Sequence, residues 1–401
     1  MRADTALDLT ISPEEALLVV SAGGRCALPV RPGAPAAWDR VVLVARWHRL
    51  APLLWAHLRE AATDVDVPAA VVAELREDAR RSTARSVMLQ FELDRILSLL
   101  EAEGIPAMLL KGAALVDSRV YPDPGMRVMS DLDLLVPEPQ LPAAHALVAE
   151  RLGYEVHGAR LDRDDADRLA RWHHHFQLIR GGGTVIVELH QRLFIDRPDA
   201  DLDGLWSRAR AGDGSPARLL PSPEDLALHV AVHFGTDRVK QRDSALGQLA
   251  DLVRIAERWT IDWDAVVERA AAARLSDRLF LALYSAQVLF GDVVPDELVA
   301  SLRPGSFTPE LGTAFVRRRV LAEGPMLPID QVQVGGLRRL FPGRGALERY
   351  VRFDEPTPSV ARLRARRWLA LARRLATQLP RPLELVRDVR LSRWMTTLLG
   401  E

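Results

Sequence analysis

The stretch "AMLLKGAALVDSRVYPDPGMRVMSDLDLLVPE", residues 107–138, decides the fold. Its apolar runs at each end read as two buried strands. The first run closes on Lys111 and Gly112, "GAALVDSRVY" reads as a short helix, and "PDPGMR" as a loop. The second run carries Asp131 and Asp133 on either side of Leu132. Side chains alternate along a strand, so both carboxylates point to one face, about 7 Å apart at Cα. Carboxylates so placed resist ionising together unless a cation lies between them. Hard oxygen donors at this spacing suit Mg²⁺ or Mn²⁺. Leu132, Leu134, Leu135 and Val136 are expected to face the core and anchor the strand.

A third acid, Glu188, sits in another apolar run, "TVIVELHQRL". Together with "HHFQLIRGGG" before it, this reads as two strands joined by a glycine-rich hairpin. Asp131, Asp133 and Glu188 in one sheet would form a metal-carboxylate set of the kind used in phosphoryl or nucleotidyl transfer. Lys111 and Gly112 end a strand and open a helix, where free backbone N–H groups and the positive dipole end favour an anion. Glycine admits a phosphate closely and lysine neutralises it. Arg127, on the loop before the carboxylates, can add a forked phosphate contact.

Helical periodicity surrounds this α/β unit. Upstream, Ser12 is a plausible N-cap before Pro13 and two acids. Pro52 marks a break or a new start, and a long pattern over residues 68–103 stops at Gly104. Residues 201–300 return to helical spacing, residues 302–358 are poorly patterned, and the last 40 are helical again. The expected class is α+β: a small mixed-sheet core at 105–200, an N-terminal helical region at 1–104, a helical substrate-side domain at 201–300, and a C-terminal region at 301–401 ending in basic helices. No internal repeat is evident.

Composition sets outer bounds. The chain has 401 residues, 48% of them hydrophobic, which is enough for two or three packed units. One cysteine, Cys26, allows no internal disulfide. There is no apolar run of transmembrane length, and the N-terminus lacks the apolar stretch of a signal peptide. A cytoplasmic protein is expected. The net charge of −1 disfavours a long nucleic acid as partner. That average hides a split: residues 360–401 hold ten arginines and three acids, leaving 43 basic against 51 acidic side chains elsewhere. Of the 53 basic residues only Lys111 and Lys240 are lysines. A lysine retained among so many arginines suggests a place where a compact ammonium is needed rather than a planar fork.

Strand, "KG", helix, then "R…SDLDLLV" and "VELH" resemble the nucleotidyltransferase superfamily with the DNA polymerase β-like fold. The closer resemblance is to a bacterial group of uncharacterised nucleotidyltransferases with an "LKG…Y…R…DIDLLV…ELH" pattern. It extends over about residues 45–270, including "HRLAPLL" at 48–54. It implies Asp131, Asp133 and Glu188 at the metal positions and a nucleoside triphosphate as co-substrate. The wider superfamily has a Gly-Ser pair after the first strand, and Lys111-Gly112 stands there instead, as in the closer group. Some relatives accompany peptide-modifying systems, which points to a peptide as one acceptor class beside a small molecule or a protein side chain. A metal-dependent phosphotransferase, a toxin or antitoxin of this fold and a catalytically silent nucleotide-binding module are the alternatives.

The histidines leave several roles open. His190 shares a strand face with Glu188 and can orient a carboxylate, contact phosphate, act as base, or simply pack. In "RWHHHFQLIR", His175 shares a face with His173, and one of the three is expected near the cleft while the others pack or are solvated. His229 and His233 lie one helical turn apart and face the same way. They suit substrate contact or base chemistry, or polar packing; "HVAVH" lacks the glutamate of a zinc peptidase. Asp251 is expected to pair with one of them or to cap a buried arginine. In the tail, Val360, Leu363, Trp368, Leu371, Leu375 and Leu379 form an apolar stripe among arginines, suited to packing on the body or to docking an acidic partner or surface.

Overall fold

The computed structural model describes residues 9–31, 37–60, 66–157, 175–194, 201–240 and 245–322, with Leu391, Trp394, Met395 and Leu398 near the C-terminus. Helices α1 (Pro13–Gly23), α2 (Trp38–Trp47), α3 (Ala51–Glu60) and α4 (Ala69–Ala102) come first. Strand β1 (Ala107–Leu109), α5 (Lys111–Asp117), β2 (Leu132–Leu135), α6 (Leu141–Leu152), β3 (Glu155–His157), β4 (His175–Arg180) and β5 (Val185–His190) follow. Next are α7 (Leu202–Ser207), β6 (Arg210–Ala211), β7 (Arg218–Leu220), α8 (Pro223–Lys240), α9 (Ala245–Arg258), α10 (Trp263–Ala272), α11 (Ser276–Phe290), α12 (Asp296–Ser301) and α13 (Pro309–Phe315). Val316–Val320 winds on as a π-helix.

Local chemistry sets the boundaries of these elements. Ser12 and Glu15 form a reciprocal capping box at the start of α1, with Pro13 in the first turn. The chain breaks after α2 at Arg49, which takes a positive φ, and α3 restarts with Pro52 in its first turn. Helix α4 runs 34 residues and the chain leaves it through Gly104.

One mixed seven-stranded sheet, ordered β3-β4-β5-β2-β1-β7-β6, is flanked by the helices, so the protein is of the α+β class. The hairpin β4–β5 is antiparallel, β5 runs parallel to β2, and β2 antiparallel to β1. Sequence periodicity did not reveal β3, β6 and β7. These strands have two or three residues each and lie at or beside the sheet's margins, with polar residues on partly exposed faces, so no apolar alternation marks them. Strands β6 and β7 carry the sheet past residue 200.

Alternation gives the sheet two unlike faces. Ala107, Leu109, Leu132, Leu134, Phe176, Leu178, Val187 and Leu189 enter one core that also takes Leu54 and Leu93 from the first helices and Phe234 and Phe280 from the later ones. Met108, Leu110 and Leu135 point the other way and are covered by Leu205 of α7. Leu135 therefore sits on the same face as Asp133, not with Leu132 and Leu134 as the sequence suggested, because it is two residues from Asp133 on a regular strand. Trp394 donates to Ser306 and packs on Phe307, and Leu391 and Met395 join the main core. The apolar stripe from Val360 to Leu379 lies outside the described residues. No described helix is long and apolar enough to cross a membrane.

Candidate active site

The parallel register of β2 and β5 sets Asp133 directly beside Glu188 and Leu135 beside His190. Asp133, Glu188 and His190 each offer a ligand atom within 4.8 Å of the others. The buried Asp133 is the hub: its Oδ1 lies 2.6 Å from Lys111 Nζ and 2.9 Å from His190 Nε2. His190 Nε2 is also 3.5 Å from Glu188 Oε2. Gln177, opposite Glu188 across the hairpin, donates to its Oε1 at 3.2 Å. The main chain closes the same corner, since Leu110 N–H donates to the Asp133 carbonyl at 2.9 Å and so fixes Lys111 over the strand.

Lys111 reaches this position with a φ of 45°, left-handed backbone that a non-glycine residue adopts at a cost of about 1–2 kcal/mol. Its neighbour Gly112 is buried, and a Cβ there would come within 3.0 Å of Met129, in the loop before Asp131. Close approach of that loop thus accounts for the glycine.

The electrostatics separate the two aspartates. Burial pushes the Asp133 carboxyl up, but Lys111 and His190 outweigh it and hold the group well below the usual carboxylate range. Asp131 goes the other way. Burial raises it, Asp133 and Glu188 add like charge, and Lys111 offsets only part. Burial works against charge on Lys111 and on His190, yet the neighbouring carboxylates prevail and both are shifted upward. The cluster therefore sets Asp133, favoured as the carboxylate, between Lys111 and His190, with a more basic Asp131 at its edge. Asp131 stands outside the group of three potential ligands.

The other sequence candidates fall around this centre. Arg127 donates from Nε to Asp251 Oδ1 at 2.7 Å, and Tyr121 OH donates to the same oxygen at 2.6 Å. Asp251 thus caps a buried arginine and pins the loop that leads to Asp131 onto α9. His229, on α8, is buried edge-on to Phe194 and to His233, and its Nδ1 has no hydrogen-bond partner among the described residues. His233 meets Gln248 at 2.9 Å and lies 3.5 Å from Asp237. The backbone of His175 pairs with that of His190. His173 and His174 lie outside the described residues.

Gln177 went unnoticed in the sequence, because the glycines at 181–183 alone would pair it with Val187; the turn takes in Thr184 as well, and that one-residue shift sets Gln177 opposite Glu188. Arg49 and Arg85 were also missed. Arg85 reaches Ser130 from α4 and Arg49 from the break between α2 and α3, and in a chain with so many arginines nothing in the sequence distinguishes them.

The profile of a protein family described as uncharacterised nucleotidyltransferases matches residues 34–291. The chain belongs to this family. The match takes in α2 to α11, including every strand of the sheet, so the family's region contains the whole cluster around Asp133. No curated protein and no solved structure matches the chain.

His229 provides a pH test of the helical side. Burial first, then Lys111 and His233, hold its pKa well below the ordinary 6.5. The unfolded chain therefore takes up a proton near pH 6.5 that the folded chain refuses. This contribution to stability is complete above that pH and declines as pH falls below it. Replacing His229 by Gln is expected to flatten the fall in unfolding free energy below about pH 6.5, by at most about 1.4 kcal/mol per pH unit. Urea unfolding of both proteins across that range measures the difference.

Proposed function

We propose that the protein transfers a nucleoside monophosphate from an NTP to a small-molecule, peptide or protein acceptor, releasing pyrophosphate. The observation that carries this reading is the register of Asp133 on Glu188, with Lys111 on Asp133 and His190 on both carboxylates. Two carboxylates with ligand atoms this close suit Mg²⁺ or Mn²⁺, and the imidazole beside them favours Mn²⁺, the softer of the two. Asp133, Glu188 and His190 would hold it. When bound, the ion supplies charge neutralisation and Lewis-acid polarisation at the phosphates.

The chain's own groups supply the rest. Lys111 is placed to swing from Asp133 to a phosphate oxygen, neutralising charge that builds on the departing pyrophosphate. Asp131, more basic than an ordinary aspartate, suits accepting the proton of the attacking acceptor group. Gln177 orients Glu188, and Asp251 with Arg127 holds the loop that presents Asp131. Arg127 is thereby engaged on Asp251, so a contact from it to phosphate requires that pair to open or to share the guanidinium's other nitrogens. The low net charge favours a small or peptidic acceptor over a long nucleic acid.

A second reading, a silent nucleotide-binding module, has one observation behind it: the Lys111 ammonium already lies on Asp133, where a catalytic ion would compete with it. Thermal unfolding with each NTP, with and without Mg²⁺, tests binding directly. A ligand at 100 times its dissociation constant is expected to stabilise the fold by about 2.7 kcal/mol. Incubation with labelled NTP and candidate peptides then tests chemistry. Pyrophosphate supports nucleotidyl transfer, nucleoside diphosphate indicates γ-phosphoryl transfer, and binding without turnover of any acceptor indicates the silent module.

A further inference from the structure

Arg85 lies on α4, far in sequence from either metal-binding strand, yet its guanidinium binds both of the segments that lead into them. Nε donates to the Met129 carbonyl at 3.3 Å, Nη2 to the Ser130 carbonyl, and Nη1 to the Thr184 carbonyl. Met129 and Ser130 are the two residues before Asp131. Thr184 is the residue before β5, which carries Glu188. The hydroxyl of Ser130 also takes a 3.4 Å contact from Arg49.

Two further features show that α4 is built onto this loop. A Cβ on Gly125 would lie 2.1 Å from Thr83 Oγ1, so only glycine lets the loop approach the helix there. Two turns along α4, the buried Glu92 receives hydrogen bonds from Arg180, at the other end of the hairpin turn, and from Tyr154. Helix α4 therefore grips the hairpin on both sides of its turn. Arg85 has no carboxylate partner among the described residues, unlike Arg46, Arg208 and Arg218, which each pair with acids. Among the described residues its hydrogen bonds all go to main-chain carbonyls. A planar fork can serve three carbonyls converging from two segments, which a single ammonium cannot do.

We propose that Arg85 is a positioning residue of the active site, fixing Asp131 relative to the strand of Glu188 by holding the carbonyls of Met129, Ser130 and Thr184. This rests on the nucleotidyltransferase reading. It assigns the first helices a share in the site: the sheet carries the carboxylates, and α4 sets the spacing between the two segments that present them.

The test uses Mn²⁺ with ATP on the full chain, with bound Mn²⁺ followed by electron paramagnetic resonance. Arg85→Gln is expected to weaken Mn²⁺·ATP binding about tenfold, as changes beyond the ligands themselves do, and to alter the Mn²⁺ spectrum. Arg85→Lys is expected to fall between that variant and wild type. Arg317→Gln is the matched control, because Arg317 also holds a backbone carbonyl, that of Thr10, and is bonded to Glu15. It is expected to lose stability while keeping wild-type affinity and spectrum. Should Arg85→Gln not fold, Arg85→Lys carries the same comparison. Wild-type affinity and spectrum in a folded Arg85 variant would overturn the inference alone. Failure of the wild type to bind Mn²⁺·ATP would overturn the nucleotidyltransferase reading and this inference with it.

Discussion

Asp133→Asn is expected to abolish Mn²⁺·NTP binding and nucleotidyl transfer while leaving a folded protein. Asp133 is the common partner of Lys111 and His190 and the direct neighbour of Glu188, so every arrangement of the site passes through it. The loss of affinity should exceed the roughly 10- to 100-fold that changes outside the ligand shell cause. The variant also strands the Lys111 ammonium and takes a carboxylate from His190. Breaking a buried ion pair costs about 3–5 kcal/mol, and the low end is expected here. Lys111 keeps 25% of its side-chain surface in water, and Glu188 lies 3.5 Å from His190 Nε2, able to take over as its partner. Isothermal titration with Mn²⁺·ATP and urea unfolding of the same samples separate the two effects. Binding that survived in Asp133→Asn would place the nucleotide somewhere other than this sheet face.

Lys111→Met is expected to change two affinities in opposite directions. With Lys111 in place, a cation approaching Asp133 must displace an ammonium 2.6 Å from the carboxylate. Removing that competitor should strengthen binding of free Mn²⁺, and leaving three acids with less positive charge nearby adds to the effect. The same substitution removes a donor for phosphate. A hydrogen bond to a charged group is worth about 1.5–3 kcal/mol, so Mn²⁺·ATP should bind roughly 10- to 100-fold more weakly. Titrating each variant with Mn²⁺ alone and then with Mn²⁺·ATP reads both changes. A rise for the free ion with no fall for the nucleotide complex would make Lys111 a counter-ion only. A fall in both would mean that Lys111 supports the site without competing for it.

These two outcomes also bear on the silent-module reading. A resident ammonium that never leaves Asp133 would block free metal and make no difference to nucleotide. One that transfers to phosphate would block free metal and strengthen nucleotide binding, and the left-handed backbone at Lys111 fits a residue held in place for such a task.

The sequence alone determined the long helices, the strands β1, β2, β4 and β5, and the identity of the chemical groups. Ser12, Pro13, Gly104 and the glycines at 181–183 mark their boundaries through short-range backbone preferences, which need no tertiary contact to act. The acids stand out because carboxylates inside apolar strands are costly without a purpose, and Lys111 because lysine is so rare in this chain. Tertiary structure decided how those groups meet. The strand order that sets β2 beside β5 depends on long-range pairing, so the contact of Asp133 with Glu188 could be proposed from the sequence but not placed in register. It brought His190 into the group of potential ligands and left Asp131 at its edge, because the regular strand begins only at Leu132. It engaged Arg127 on Asp251, and it drew Arg85 out of an arginine-rich helix to three carbonyls on two distant segments. Pattern along the chain reports burial and backbone shape. A hydrogen bond across the fold depends on where two elements come to rest, which no local period encodes.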